Sequence, residues 1–371
     1  MKKMKIAVVF GTRPEAIKMA PIINELKYRQ VPYIVIVTAQ HREMLDQKLE
    51  VFNIKPDYDL NIMQHNQDLF YVTSSVLNQI KTVLEKEKPD ILLVQGDTTT
   101  TFAASLAAFY LKIPVGHVES GLRTWNKMNP YPEEINRQLT TRLVEYHFAP
   151  TNWAKGNLLR EGISESKIFV TGNTVIDALF LIINQNFNFE EGLLSKIDYE
   201  NKKVILLTCH RRENFGRPME QIFSACRYLI EHHSDIELIY PVHPNPNVKT
   251  LAEKMLKGYA NVHLIKPLEY VPFVHLMSKS YLILTDSGGV QEEAPSLGKP
   301  VLVLRTTTER PEAIEAGTAK LVGTNEKDII RQVEILLENR ESYSSMVVKS
   351  NPYGDGKAAK RIVDILLSEK N

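Results

Sequence analysis

The residues of this chain that are equipped for chemistry stand at the ends of short apolar runs. After Tyr281–Thr285 comes Asp286-Ser287-Gly288-Gly289-Val290-Gln291-Glu292-Glu293. A strand that turns through two glycines into a helix presents unpaired N–H groups and the positive end of a dipole, so Ser287, Gly288 and Gly289 suit a phosphate. The same residues also read as a plain helix start, with Ser287 as the cap and Glu292 and Glu293 as ordinary first-turn acids. A glutamate pointing along the ligand would instead accept from a ribose. In Gly11-Thr12-Arg13-Pro14-Glu15, Arg13 offers a guanidinium fork for a phosphate. Lys18, one turn later, is a second cation there or a solvated helix position.

Other strand ends carry acid–base candidates. Asp97 lies in Val94-Gln95-Gly96-Asp97-Thr98 and is either a proton-handling carboxylate or a helix cap. Glu119 closes the apolar run Val115–Val118, where no cap explains it, and is the better acid–base candidate. Glu133 and Glu134 follow Pro130-Tyr131-Pro132 and equally suit a first helical turn. His210, in Thr208-Cys209-His210-Arg211-Arg212-Glu213-Asn214, sits among charges that favour phosphate binding or proton transfer. His243, between prolines, is a weaker case of the same kind, because the prolines also make a rigid turn. Arg310 precedes a helix opened by Pro311 and reaches toward the phosphates of the Ser-Gly-Gly turn. No His, Cys and Asp spacing resembles a zinc site, so no metal is expected.

These residues need a scaffold that gathers strand ends. Apolar runs at Lys5–Phe10, Tyr33–Thr38, Ile91–Gln95, Val115–Val118, Tyr146–Phe148 and Ile168–Val170 alternate with helical patterns, and a second series starts at Lys203–Thr208. Such alternation predicts α/β architecture: two doubly wound Rossmann-like domains, each binding ligands at the carboxyl ends of its strands and facing the other across a cleft. The boundaries fall at 1–170 and 171–352, with an amphipathic helix within 353–371 packing back on the first domain. At 371 residues two domains are the default. A net charge of +1 without a basic stripe argues against nucleic acid. No apolar run approaches the roughly 18 residues of a membrane span, and Cys209 and Cys226 form no disulfide framework, so a cytoplasmic protein is expected. Neither G-x-G-x-x-G nor G-x-x-x-x-G-K-[ST] occurs, which disfavours nicotinamide and P-loop chemistry; no cofactor is expected.

Together the strings resemble the non-hydrolysing UDP-N-acetylglucosamine 2-epimerases, of glycosyltransferase-B architecture. The matching strings are Gly11-Thr12-Arg13-Pro14-Glu15, Gln40-His41-Arg42-Glu43, Gln95-Gly96-Asp97-Thr98, Gly116-His117-Val118-Glu119, Tyr131-Pro132-Glu133-Glu134, His210-Arg211-Arg212-Glu213-Asn214, Asp286-Ser287-Gly288-Gly289 and Thr308-Glu309-Arg310-Pro311-Glu312. The resemblance implies a UDP-sugar in the cleft, with Ser287, Gly288 and Gly289 on the diphosphate, Glu293 on the ribose and Phe273 near the uracil. It places Arg13, His210 and Arg310 on the phosphates with Lys18 nearby, makes Asp97, Glu119 and Glu133 the acid–base carboxylates, and implies a homodimer. The implied isomerase interconverts UDP-N-acetylglucosamine and UDP-N-acetylmannosamine through a 2-acetamidoglucal. A hydrolysing epimerase, an epimerase of a related UDP-sugar and a glycosyltransferase stay open as alternatives. Bacterial members also bind an activating UDP-N-acetylglucosamine, for which Gln40 and His41 match. Asn66, however, replaces the arginine of that site, and weak or absent activation is the expectation.

Overall fold

The computed structural model describes residues 3–40, 45, 49–190, 192–308, 310–347 and 350–368. The chain divides into two compact units, Met1–Phe180 with Tyr353–Asn371, and Leu181–Pro352. Among the described residues no helix is long and apolar enough to cross a membrane.

The first unit is built on β1 (Ile6–Phe10), β2 (Tyr33–Val37), β3 (Tyr58–Asp59), β4 (Ile91–Gln95), β5 (Val115–Val118), β6 (Tyr146–Ala149) and β7 (Ile168–Val170). They lie in the order β3-β2-β1-β4-β5-β6-β7, every pairing parallel. Continuous apolar sequence is what such a sheet needs, since helices cover both faces, and all five residues of β1 are buried. The two-residue β3 has no apolar run and is not foreseen by pattern. The helix expected near Arg42–Phe52 falls partly outside the described residues.

The second unit repeats the design with β8 (Lys203–Thr208), β9 (Ile236–Pro241), β10 (Val262–Ile265), β11 (Leu282–Thr285), β12 (Val301–Val303) and β13 (Ala319–Leu321). Their order is β10-β9-β8-β11-β12-β13, again parallel. In both units the order reverses beside the first strand of the series, between β1 and β4 and between β8 and β11. Ligands of doubly wound sheets bind at the carboxyl ends of the strands flanking such a reversal.

The Ala358–Ser368 helix buries Ile362, Val363 and Leu366 in the first unit, and Asp364 meets Arg29 at 2.5 Å. Its first turn is held by Asp177, which accepts from the backbone N–H groups of Ala358 (3.2 Å) and Ala359 (2.8 Å). Burial pushes the Asp177 carboxyl up to about 6 although both bonds pull it down. A carboxyl raised in the folded state contributes stability below its unfolded value near 4, and that contribution is lost as pH rises through about 6. Asp177→Asn removes this dependence. Between pH 4.5 and 7.5 the difference in unfolding free energy should therefore move in favour of the variant by on the order of 2 kcal/mol. Denaturant titrations of both proteins at the two pH values measure it, and a constant difference would refute the assignment.

Candidate active site

In the first unit the turns leaving β1 and β4 stand side by side at the reversal. Glu15 fastens one to the other. One carboxylate oxygen accepts from Gly11 N (3.0 Å), Thr12 N (2.8 Å) and Thr12 Oγ1 (2.7 Å); the other accepts from Thr98 Oγ1 (2.6 Å) and Thr101 Oγ1 (3.1 Å). Burial pushes the Glu15 carboxyl up against these five bonds, which pull it down. The chain is so close here that a Cβ at Gly11 would come within 2.7 Å of Thr100 Oγ1, past β4, and 2.1 Å of Thr38 Oγ1, past β2.

Thr98, not Asp97, caps the Thr99–Tyr110 helix. The Asp97 carboxylate instead faces Arg137, whose Nε and Nη2 lie 2.9 and 2.7 Å from Oδ2. Glu119, just past β5, is 7% exposed. It accepts from Lys18 Nζ at 2.5 and 2.7 Å, from Asn173 Nδ2 at 2.9 Å and from Gln95 Nε2. Lys18 is thus no solvated helix lysine. The backbone at Glu119 is left-handed, φ +66°, a conformation that costs an L-residue on the order of 1–2 kcal/mol. His117 donates from Nε2 to Gly96 O at 2.6 Å, bracing the turn that ends in Asp97. Burial lowers its pKa to about 4, so the ring is neutral at physiological pH.

Glu133 opens the Glu133–Leu143 helix, and among the described residues nothing pairs with its carboxylate. Its neighbour Glu134 is fully buried and accepts from the backbone N–H groups of Thr124 (3.0 Å) and Trp125 (3.1 Å). Burial pushes the Glu134 carboxyl up, but these bonds, Gln138 and Arg137 outweigh it and hold it below its ordinary range. Arg13 begins its helix with no carboxylate partner among the described residues. Gln40 accepts through Oε1 from Thr100 Oγ1 (3.2 Å) and through its carbonyl from Gln67 Nε2 (2.9 Å). Asn66 is exposed nearby in sequence, and His41 lies outside the described residues.

In the second unit Asp286 does what Glu15 does in the first. Wholly buried at the end of β11, its Oδ2 accepts from His210 N (2.8 Å), Arg211 N (2.8 Å) and Asn214 Nδ2 (3.0 Å). The loop after β8 is thereby tied to the Ser-Gly-Gly turn. The His210 ring stacks on His243, centroids 5.3 Å apart. Burial lowers the His210 pKa; the adjacent Asp286 opposes this, while His243 and Arg211 add to it. His243 accepts through Nδ1 from Asn245 N at 3.2 Å.

Ser287 stands at the N-cap of the short Gly288–Glu293 helix without a side-chain capping bond. A Cβ at Gly288 would lie 3.8 Å from the Arg310 guanidinium and 4.0 Å from that of Arg211, and at Gly289 it would meet nothing within 4 Å. Neither glycine has a positive φ, so backbone conformation does not demand either; Gly288 keeps the space under two guanidinium groups clear, and Gly289 faces open space. Arg310 is anchored by Glu292, which is 3% exposed. Glu292, expected as an ordinary first-turn acid, is instead a buried ion-pair partner. Glu293 is 9% exposed at the end of the same helix. Phe273 is half-buried on the Tyr270–Lys279 helix. Glu15, Arg137, Arg211 and Asp286 escaped assignment from sequence. Only Glu15 carried a local signal, the Thr12-x-x-Glu15 capping box. Among the described residues no cluster of His, Cys, Asp and Glu has the makings of a metal site.

The two parallel α/β units, each with charged loops at its reversal point, have the glycosyltransferase-B fold. A glycosyltransferase of kitacinnamycin, 12% identical, shares this fold with a TM-score of 0.68 over 99% of each chain. A family model described as UDP-N-acetylglucosamine 2-epimerase matches residues 24–367. The UDP-N-acetylglucosamine 2-epimerase of Bacillus subtilis (strain 168) is 55% identical over 368 residues, 99% of this chain and 96% of that one. The crystal structure of the Neisseria meningitidis UDP-GlcNAc 2-epimerase bound to UDP-GlcNAc is 54% identical, with a TM-score of 0.86 over 98% of this chain and 100% of that one. The chain belongs to the UDP-N-acetylglucosamine 2-epimerase family and is an enzyme.

Proposed function

We propose that this enzyme interconverts UDP-N-acetylglucosamine and UDP-N-acetylmannosamine without hydrolysing them. The observation that carries the reading is the pair of carboxylates Asp97 and Glu119 at the ends of the adjacent strands β4 and β5. A protein that merely bound a UDP-sugar would need the cationic Ser-Gly-Gly turn but not these. C2 of the sugar has no neighbouring carbonyl to acidify its hydrogen, so direct deprotonation and return is unfavourable. In the proposed route a first-unit carboxylate takes the C2 proton while the C1–O bond breaks, and UDP leaves with the bonding electrons. The product is 2-acetamidoglucal. Protonation of C2 on the opposite face and attack of UDP oxygen on C1 complete the inversion, with no net change in atoms or electrons.

Arg13, His210, Arg211 and Arg310 stabilise the charge that develops on departing UDP. Ser287, Gly288 and Gly289 hold its diphosphate, Glu293 the ribose and Phe273 the uracil region. Glu119 and Asp97 move the protons, with Glu133 as the third carboxylate of the set and Lys18 orienting Glu119. Incubation of UDP-N-acetylglucosamine in D2O tests this by NMR. Deuterium at C2 in intact UDP-sugar of both configurations is the expected result. Accumulation of UDP and free N-acetylmannosamine would establish the hydrolysing reaction instead.

A further inference from the structure

The Asp97 carboxylate is only half committed. Arg137 approaches one oxygen, Oδ2, through Nε (2.9 Å) and Nη2 (2.7 Å), and among the described residues nothing donates to Oδ1. The backbone carbonyl of the same residue accepts from Asn136 Nδ2 at 3.0 Å. One helix, Glu133–Leu143, therefore grips Asp97 at both ends.

Arg137 is itself held. Its Nη1 lies 3.2 Å from Glu134 Oε2, and its side chain is 14% exposed. Glu134 cannot turn away, because it is buried and takes N–H bonds from Thr124 and Trp125 in the loop that joins the ends of β5 and this helix. The result is a chain of fixed groups, Thr124 and Trp125 to Glu134 to Arg137 to Asp97. Partly exposed ion pairs contribute little to stability, about 0–1 kcal/mol. Orientation is the larger effect. A carboxylate with two rotatable bonds is pinned through one oxygen while the other is left for a reacting group, the kind of fixed geometry on which catalytic rates depend steeply.

We propose that Arg137 is a positioning residue for the reaction: it holds Asp97 in its working rotamer, with Glu134 as its support. This rests on the proposed role of Asp97 in proton transfer. Arg137→Ala should lower kcat about a hundredfold or more, with KM for UDP-N-acetylglucosamine and UDP affinity within about threefold of the native values. Guanidinium chloride at tens of millimolar should restore at least about a tenth of the lost kcat in this variant. It should do nothing for Asp97→Asn. A purely structural role would move stability and KM and would not respond to guanidinium.

A kcat within about threefold of native would overturn the assignment. So would a loss of kcat that guanidinium does not relieve, or one accompanied by an equal loss of UDP affinity. If Arg137→Ala does not fold, Arg137→Lys decides. It keeps the charge and loses the fork, so kcat should fall at least about tenfold at unchanged KM, and native kcat overturns the proposal. Deuterium exchange at C2 by the native enzyme is measured in the same series. Its absence sinks the epimerase reading and this role of Arg137 with it, whereas equal exchange by native and Arg137→Ala sinks only the latter.

Discussion

Replacing Glu119 with glutamine is expected to lower kcat by about a thousandfold or more, while UDP binds as it does to the native enzyme. A positioned proton-transfer group is worth on the order of 10²–10⁴ in rate, and an amide cannot take its place. The environment of Glu119 sharpens the effect. Four hydrogen bonds from Lys18, Gln95 and Asn173 converge on its two oxygens, and every donor is committed to an acceptor there. An amide NH2 in the same position faces donors with another donor, so Lys18 turns away and the site loses its geometry as well as its proton carrier. Asp97→Asn should be comparably inactive, because the proposed proton transfer needs its carboxylate, whose Oδ1 has no donor among the described residues. Initial rates in both directions, with UDP titration calorimetry and a thermal midpoint as controls, measure both variants. Substantial turnover in both would remove these carboxylates from the mechanism.

The strand ends that carry these groups were legible in the sequence because burial on both faces of a parallel sheet writes itself as an unbroken apolar run, and the run stops where the loop begins. That legibility extends to Arg13, Asp97, Glu119, His210 and Ser287, each just beyond such a run. It does not extend to neighbours across the sheet. Nothing local says which strand lies beside which, and what the sequence left open or missed depends on such long-range adjacencies. Lys18 reads equally as a phosphate cation or a solvated helix lysine until β5 delivers Glu119 to it. Glu292 reads as a first-turn acid until the chain returns with Arg310. Arg137 carries no assignment until Asp97 is placed against its helix.

The largest loss of ligand binding is expected from Asp286. Its side chain fastens the His210-Arg211 backbone to the end of β11 through paired N–H bonds, at 2.8 Å each, and Asn214 adds a third donor at 3.0 Å. Asp286→Ala leaves these donors facing a cavity, at about 1–3 kcal/mol for each unsatisfied buried group. The loop that presents Arg211 over Gly288 is then free to leave, so UDP affinity should fall about a hundredfold or more, and the unfolding free energy by on the order of 3–5 kcal/mol. Asp286→Asn separates the two causes. Its carbonyl oxygen can keep the three donors while the charge is lost beside His210, whose Nδ1 lies 3.6 Å from Oδ1. If loop geometry governs binding, the asparagine variant should hold UDP within about tenfold of native while the alanine variant does not, because the bonds rather than the charge set where Arg211 stands. Equal losses in the two would make the buried charge the cause, and native UDP affinity in Asp286→Ala would show that the β8 loop is not part of the phosphate site. The first unit, with its own anchor at Glu15, should keep its fold in both variants, so deuterium exchange measured at saturating UDP-sugar would recover in proportion to occupancy rather than vanish.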